Sequence, residues 1–538
     1  MNKQKSKAKS GFTIKRILLL VSLLFILLAA VLGIYFYLHI EEITKTRLTD
    51  LINEKLAPNA EIEISEFKID YYPLGAALRG IRLVHRIPFD EIEHERNADA
   101  IRKLEIDEIS ISDIKIFRFL FGNRWRIDRV EVIGLNVELT PVPEKESEES
   151  GITIPRPDIR INQILFNNSN IHYFRERLAQ DAAAYINNIN IEVDRFIVPD
   201  AGAPAHAFFD DIILETSSIK YRTDNGDYDL EAESFVMNSR DGIIQIVGGK
   251  SNPLKTAAEM ALEAGRPIDK FMVSFDEFLA EGILIEDLLS REDFYSKKIR
   301  LTKPGLAIRR DRTFSRPERD DRILPAVQFK NLPLPVNVDS FFVTDGYISY
   351  GEEYMEEFRQ GILSFYGVEM AVSKLNNRLP DDSIRVHINA RFMDLSPLML
   401  EAAFALDEKG THRVKGRLGE LDLSVMNPTI EGFLAMRVRN GIARSLDFVF
   451  VADDDISHGM LTFIYDDLEV RFLEEETLRE RRRDRFRSFI ANRFVVRSNN
   501  RAEDPRQATI EYERDKQRSM FNYWWRSISD GLMETIRR

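Results

Sequence analysis

Apolar residues recur at every second position along most of this chain. Ile62 and Ile64 alternate with acids, and Leu104/Ile106, Ile109/Ile111 and Ile114/Ile116 follow with short phase shifts between them. Val130/Val132 run on to Leu135, Val137 and Leu139, and Ile189, Ile191 and Val193 continue the pattern. Later runs are Ile384, Val386, Ile388, Ala390 and Phe392, then Leu461, Phe463 and Tyr465, then Leu468, Val470 and Phe472. Period two with charged residues between means strands with one dry and one wet face, the habit of antiparallel sheet. Asn225-Gly226, Asp345-Gly346 and Asn440-Gly441 read as turns between strands. Stretches around 283–289 and 396–406 read as short helices. The segments 88–100 and 141–157 read as polar, acidic loops.

Two segments depart from period two. Residues 17–38 (ILLLVSLLFILLAAVLGIYFYL) hold no charge. At about 1.5 Å per residue such a run spans about 33 Å, enough for a hydrocarbon core of roughly 30 Å. Ile17, Leu20, Leu24, Leu28, Leu32, Tyr35 and Leu38 are its candidate anchor residues. Lysines at 3, 5, 7, 9 and 15 and Arg16 precede it, and Glu41 and Glu42 follow. The positive-inside rule then puts the N-terminus in the cytoplasm and the rest outside. A cleaved signal peptide is the competing reading, but the apolar run continues well past Ala29-Ala30. Residues 41–60 read as a helix stopped by Pro58.

At the other end, residues 510–538 carry a helical pattern. Phe521, Trp524, Trp525, Ile528, Leu532 and Ile536 would form one broad apolar face. Two readings stand: a helix covering the end of the sheet, or one lying on a membrane or a membrane partner. The basic run at 479–485 (RERRRDR) is either a solvated face or a contact for anionic lipid head groups. The expected partition is a basic cytoplasmic tail (1–16), an anchor (17–40), a juxtamembrane helix (41–60), a β region (61–475), a basic linker or terminal strand (476–509) and the amphipathic helix (510–538).

Composition narrows function. Hydrophobic content of 44% with 30% charged residues describes a chain that folds. A net charge of −13 argues against nucleic acid as a partner. The chain has no cysteine, which excludes disulfides, thiolate metal sites and a cysteine nucleophile, and leaves the redox compartment open. The eight histidines are scattered singly, and the spacing of His85 and His94 matches no metal-ligand pattern. No P-loop, HExxH or GxSxG occurs. Acid pairs are plentiful because the wet strand faces are acidic, so they say nothing about general acid–base work. The expectation is a protein without enzyme activity, cofactor or metal.

Four stretches carry a family resemblance. They are FKIDYYPLGAALRGIRLVH (67–85) behind the anchor and helix; LEIDEISISDIKIFRFLFGNRWRIDRVEVIGLNVELT (104–140); INQILFNNSNIHYF (161–174), echoed at VNVDSFFVTDGYISYGE (336–352); and residues 414–470 with their Asn427-Pro428 and Gly turn. The echo is a weak internal repeat, one supersecondary unit used more than once. Together these stretches resemble the AsmA-like family of bacterial envelope proteins. The resemblance implies a mainly β fold: an N-terminal transmembrane helix, an elongated antiparallel taco-like β-groove, a few short helices and the C-terminal amphipathic helix. It implies a single-pass protein of the bacterial inner membrane with its bulk in the periplasm, binding phospholipid or another acyl-chain lipid and helping its transfer between envelope membranes. Ile384, Val386 and Ile388 are candidate groove-lining residues. Roughly 20–25 strands at about 4.8 Å would extend about 100–120 Å. The alternative is a non-catalytic assembly factor for outer-membrane or envelope components, with a protein partner there and no lipid cargo.

Overall fold

A computed structural model describes residues 41–55, 60–71, 74–89, 100–113, 124–141, 158–176, 178–197, 208–266, 268–290, 293–311, 321–353, 361–379, 383–434, 436–472 and 496–537. The anchor residues Ile17 through Leu38, most of both acidic loops and the basic run at 479–485 lie outside the described residues. Among the described residues, no helix is long and apolar enough to cross a membrane. The chain divides into two compact units, Met1–Gly242 and Ile243–Arg538.

In the first unit, helix α1 (Glu41–Lys55) precedes β1 (Ala60–Tyr71), β2 (Leu74–His85), β3 (Ile101–Ser112), β4 (Arg124–Ile133), β5 (Asn136–Leu139), β6 (Asp158–Tyr173), β7 (Ala184–Ile197), β8 (Asp211–Arg222) and β9 (Tyr228–Asn238). Each strand pairs with its sequence neighbour, except that β4 and β5 lie end to end in one sheet position. Both run antiparallel to β3 and parallel to β6. α1 buries Leu48 and Ile52 in a core that reaches from β1 to Ile164 and Phe166 of β6.

The second unit holds β10 (Ile243–Pro253), α2 (Ala257–Ala264), β11 (Asp269–Glu281), α3 (Ile285–Ser290), β12 (Phe294–Thr302), β13 (Gly305–Asp311) and α4 (Pro325–Lys330). There follow β14 (Val336–Glu353), β15 (Gly361–Asn376), β16 (Ser383–Phe392), β17 (Ser396–Ala405), β18 (His412–Leu418) and β19 (Leu421–Asp422). α5 (Asn427–Leu434), β20 (Met436–Ala452), β21 (Ile456–Phe472), β22 (Gln507–Glu513) and α6 (Met520–Ile536) close the chain. Here β12 and β13 share one position, antiparallel to β11 and parallel to β14.

The units therefore repeat a motif, and the sequence echo marks its long strand. Between β4 and β5 the chain turns at Gly134 (φ 66°), whose N–H donates to Asn167 O at 2.9 Å. Between β12 and β13 it turns at Lys303 (φ 46°), whose N–H donates to Thr344 O at 2.8 Å. Next, Asn168 and Asp345 each bulge outward at φ 53°. Their N–H groups are taken by side chains of the following strand, Asn190 Oδ1 at 3.0 Å and Glu369 Oε1 at 2.9 Å. Facing the bulges, Asn188 (φ 52°) and Gly367 (φ 55°) also adopt the left-handed conformation. Asn, Asp and Gly tolerate that region best, which is why the echo survives at these positions.

Three expectations need correction. The sheets are mixed rather than purely antiparallel, because a split strand followed by a crossover brings the next strand in parallel. Of the three turn signals, only Asn225-Gly226 joins two strands, β8 and β9. Asp345-Gly346 and Asn440-Gly441 lie inside β14 and β20 at shifts of register. A dipeptide that supplies φ > 0 serves a bulge as well as a hairpin. Finally, residues 396–405 form β17, not a helix. Pairing on both sides, with β16 and β18, overrides the helical propensity of its Leu, Met, Glu and Ala.

Helical side chains cover the outer strands. Asn53 of α1 accepts from Ile62 N at 2.6 Å on β1, and Lys45 donates to Ser65 O at 2.9 Å. On β22, Thr509 N donates to Glu534 at 2.8 Å and Glu511 N to Asp530 at 3.1 Å, both acceptors from α6. Capping edge amides in this way discourages pairing with another strand.

Candidate functional site: apolar rows across the strands

Cross-strand partners share a face, so the register shows how the alternating apolar residues line up. In the first unit one row runs Phe67, Leu78, Ile109, Val132, Phe166, Ile191, Leu214, Met237, from β1 to β9 without a polar side chain. Beside it runs Ile69, Ala76, Ile111, Val130, Ile164, Val193, Ile212. The first row starts buried and ends half open: Phe67 through Phe166 are buried, whereas Ile191, Leu214 and Met237 are half-buried. The opposite face is ionic, with Arg79 between Glu66 at 3.4 Å and Glu108 at 2.8 Å.

The second unit has the same construction on more strands. One row runs Ile244, Ala280, Ile299, Phe341, Val372, Val386, Ala402, Val414, Phe450, Gly459, Ile510. Its neighbour runs Ile246, Phe278, Leu301, Val343, Met370, Ile388, Leu400, Gly416, Phe448, Leu461, Ala508. Gly416 keeps the row level: a Cβ there would fall 2.1 Å from the Phe448 ring, which lies over the glycine. Met370, Val386, Ile388 and Leu400 are half-buried, while Phe450, Leu461 and Ile510 are at most 1% exposed.

Of the candidate groove residues, Val386 and Ile388 fall on these rows, and Ile384 lies beside them opposite Phe404. Ile384 is buried, Val386 and Ile388 are half-buried, and Arg385, His387 and Asn389 between them are exposed on the other face. The rows also include residues that strand-by-strand reading leaves unconnected, such as Leu214, Met237 and Leu400. Alternation marks the face of each strand, but register sets which residues become neighbours.

Helix α6 covers the closed end of the second unit's rows. Its most buried stripe is Tyr523, Ser527, Gly531 and Thr535, at i+4 spacing. The broad face expected from the sequence flanks that stripe: Trp524, Ile528 and Leu532 pack partly buried on the core, Ile536 is buried, Trp525 is half-buried and Phe521 is exposed. The helix also starts later than 510, because residues 507–513 are β22. Gly531 sits on Leu461 and Ile510, each within 3.1 Å of where its Cβ would be. Near the start of the helix, Phe521 meets Tyr350 of β14 and Phe365 of β15 at ring distances of 5.5 and 6.4 Å, while Tyr523 meets Tyr512 of β22 at 6.2 Å. The sheet of this unit thus curves enough for α6 to touch strands far apart in its order.

The polar fastenings of α6 are few. Trp524 Nε1 donates to His412 Nε2 at 2.9 Å, and His412 Nδ1–H donates to Gly410 O at 2.8 Å, which fixes the neutral tautomer. Burial holds the His412 pKa below the ordinary histidine value. Ser527 and Ser457 hydroxyls pair at 2.7 Å. Burial pushes the Asp530 carboxyl upward. Before the helix, Lys516 binds Asp454 and Asp455, each at 2.8 Å.

Among the described residues, no three His, Cys, Asp or Glu side chains converge as metal ligands. Of the histidines there, His85 and His412 contact main-chain carbonyls, Arg102 O at 3.1 Å and Gly410 O at 2.8 Å, and His172 contacts the Asn187 side chain at 3.1 Å. No family model matches this chain, and no curated protein matches it.

Proposed function

We propose that this chain binds the acyl chains of phospholipid along its apolar rows and helps move lipid between envelope membranes, held in a bacterial inner membrane by residues 17–38 with its bulk in the periplasm. The observation that carries this reading is the run of half-buried apolar residues, Ile191–Leu214–Met237 and Met370–Ile388–Leu400, continuous with rows that are fully covered elsewhere. An unbroken apolar row ending half open is a poor use of a sheet face unless something apolar lies on it. A methylene chain fits that need, since each buried CH₂ contributes about 0.8 kcal/mol and imposes no hydrogen-bonding demand. Rows crossing many strands favour a long, flexible ligand over a compact one. The uncharged N-terminal segment with basic residues before it supports the membrane location.

The test is lipid extraction and native mass spectrometry of the full chain purified in mild detergent. Co-purifying phospholipid is expected, and Ile388→Asp with Leu214→Asp should reduce it severalfold while the β-sheet circular dichroism persists. Absence of lipid, together with intact function of those variants in cells, would instead favour an assembly factor without cargo.

A further inference from the structure

The half-buried apolar residues of the two units are arranged differently. In the first unit the open stretch is two rows wide: Ile191 and Leu214 of one row, and Val193 and Ile212 of the next, are all half-buried. In the second unit it is one row wide across β15, β16 and β17. There Met370, Ile388 and Leu400 stand opposite one another and are half-buried. To one side Val372 and Ala402 are buried, with the half-buried Val386 between them. To the other side Val368 and Ala390 are buried.

Two helices wall this slot. Phe329 of α4 packs on the cluster of Val372, Ile384 and Leu406. Beyond Val368 and Ala390, Phe365 meets Phe392 at 5.5 Å, and Phe521 of α6 lies against Phe365 at 6.4 Å. Both walls are firmly tied. α6 is seated in the core through Tyr523, Trp524, Ile528, Leu532, Met533 and Ile536. The chain before it is held by Arg514 on Asp454 and on Arg322 O, and by Lys516 on Asp454 and Asp455. Arg322, just ahead of α4, binds Asp269 of β11 at 3.0 Å. The slot itself holds no charge: Arg385, His387 and Glu401 of the same strands are exposed on the other face.

We propose that the second unit holds a single acyl chain, in single file along Met370, Ile388 and Leu400, whereas the two open rows of the first unit take two chains side by side. The inference rests on the lipid-binding reading above and narrows its ligand. With no charge in the slot, the part of the ligand that lies there is uncharged. It is also thin. Rows on one face are two residues, about 7 Å, apart, and carbon chains in contact lie about 4 Å apart. A second chain beside the first would therefore run onto the buried rows and against Phe329 or Phe521. A lipid with one chain, a fatty acid or a lysophospholipid, enters without rearrangement. A diacyl lipid must part its chains, and that ordering weakens its binding.

The experiment uses the wild-type full chain in mild detergent and two probes, a monoacyl and a diacyl phosphatidylethanolamine of equal chain length. Each carries one diazirine at the same place on an acyl chain, and adducts are mapped by peptide mass spectrometry after illumination. The slot predicts about fivefold more adducts on residues 366–402 from the monoacyl probe than from the diacyl probe, and yields within about twofold of each other on residues 186–214. Equal yields from the two probes on 366–402, or the same preference for the monoacyl probe in both units, overturn the single-file slot and leave the lipid reading standing. Adducts on the first unit alone also overturn the slot, with the lipid reading kept for that unit. No adduct on either unit from either probe overturns the lipid reading and the slot with it.

Discussion

Trp524 donates its indole N–H to Nε2 of His412, two residues 112 apart in sequence, across 2.9 Å at the point where α6 meets the sheet. The bond requires a neutral histidine, because a protonated ring has no acceptor left. Burial holds the folded pKa of His412 below the ordinary histidine value, and Arg514 nearby depresses it further, while the Gly410 carbonyl, Asp453 and Asp407 oppose that. The sign follows. The stability this ring contributes is fully present above about pH 6.5 and is lost as pH falls from there toward the folded pKa. Thermal melts from pH 8 to 5, followed by tryptophan emission, should show a falling midpoint below that value. His412→Phe should flatten the acid limb, and an unchanged slope in that variant would remove His412 as its cause.

Gly416 carries the Phe448 ring over its backbone. Gly416→Val forces the ring aside in a packed row and should destabilise the second unit by about 1–3 kcal/mol, read as a lower urea midpoint. Phe448→Ala with Gly416→Val should recover part of that loss relative to the sum of the single variants, since the clash is then gone. Full additivity would show that the two positions do not meet.

The repeated bulge makes a second conformational prediction. Gly367 sits at φ 55°, and a Cβ there would fall 2.8 Å from Arg391 Nη1. Gly367→Val should cost about 1–3 kcal/mol. The corresponding residue of the first unit, Asn188, shares the conformation at φ 52°, so Asn188→Gly should change stability by less than about 0.5 kcal/mol. Denaturant unfolding of both variants checks the contrast, and equal effects would contradict the equivalence of the two motifs.

Asp530 and Glu534 cap the edge amides of β22. Replacing both by alanine leaves two N–H groups without their acceptors, at about 1 kcal/mol each, and exposes a strand edge. The double variant should associate with rising concentration in light scattering where the wild type does not. A monodisperse variant would mean that the caps do not guard the edge.

How far the sequence led depends on the kind of contact involved. Alternation in Ile384–Phe392 named the dry face of β16 without help, because side-chain direction in a strand is local. The echo at 161–174 and 336–352 was visible because both copies need Asn, Asp or Gly at bulged positions. The parallel pairing of β6 with β4 and β5 was not legible, since it depends on where a crossover returns the chain. Neither was β17, whose Leu, Met and Ala side chains suit a helix until two neighbouring strands claim the backbone. In α6 the apolar spacing points to Trp525 and Phe521 as part of the buried face. The helix instead sits down on Ser527, Gly531 and Thr535, where closeness of approach counts for more than hydrophobicity. The His412–Trp524 bond joins residues whose proximity only the folded sheet creates.

The most direct test of the lipid reading is site-specific photocrosslinking in cells, with a photoreactive amino acid placed in turn along β16 and β17. Crosslinks to phospholipid at 386, 388 and 400, and none at 385, 387 and 401, are the expected result, following the period-two burial of the strands. Phospholipid adducts at neither set, or equally at both, would contradict it.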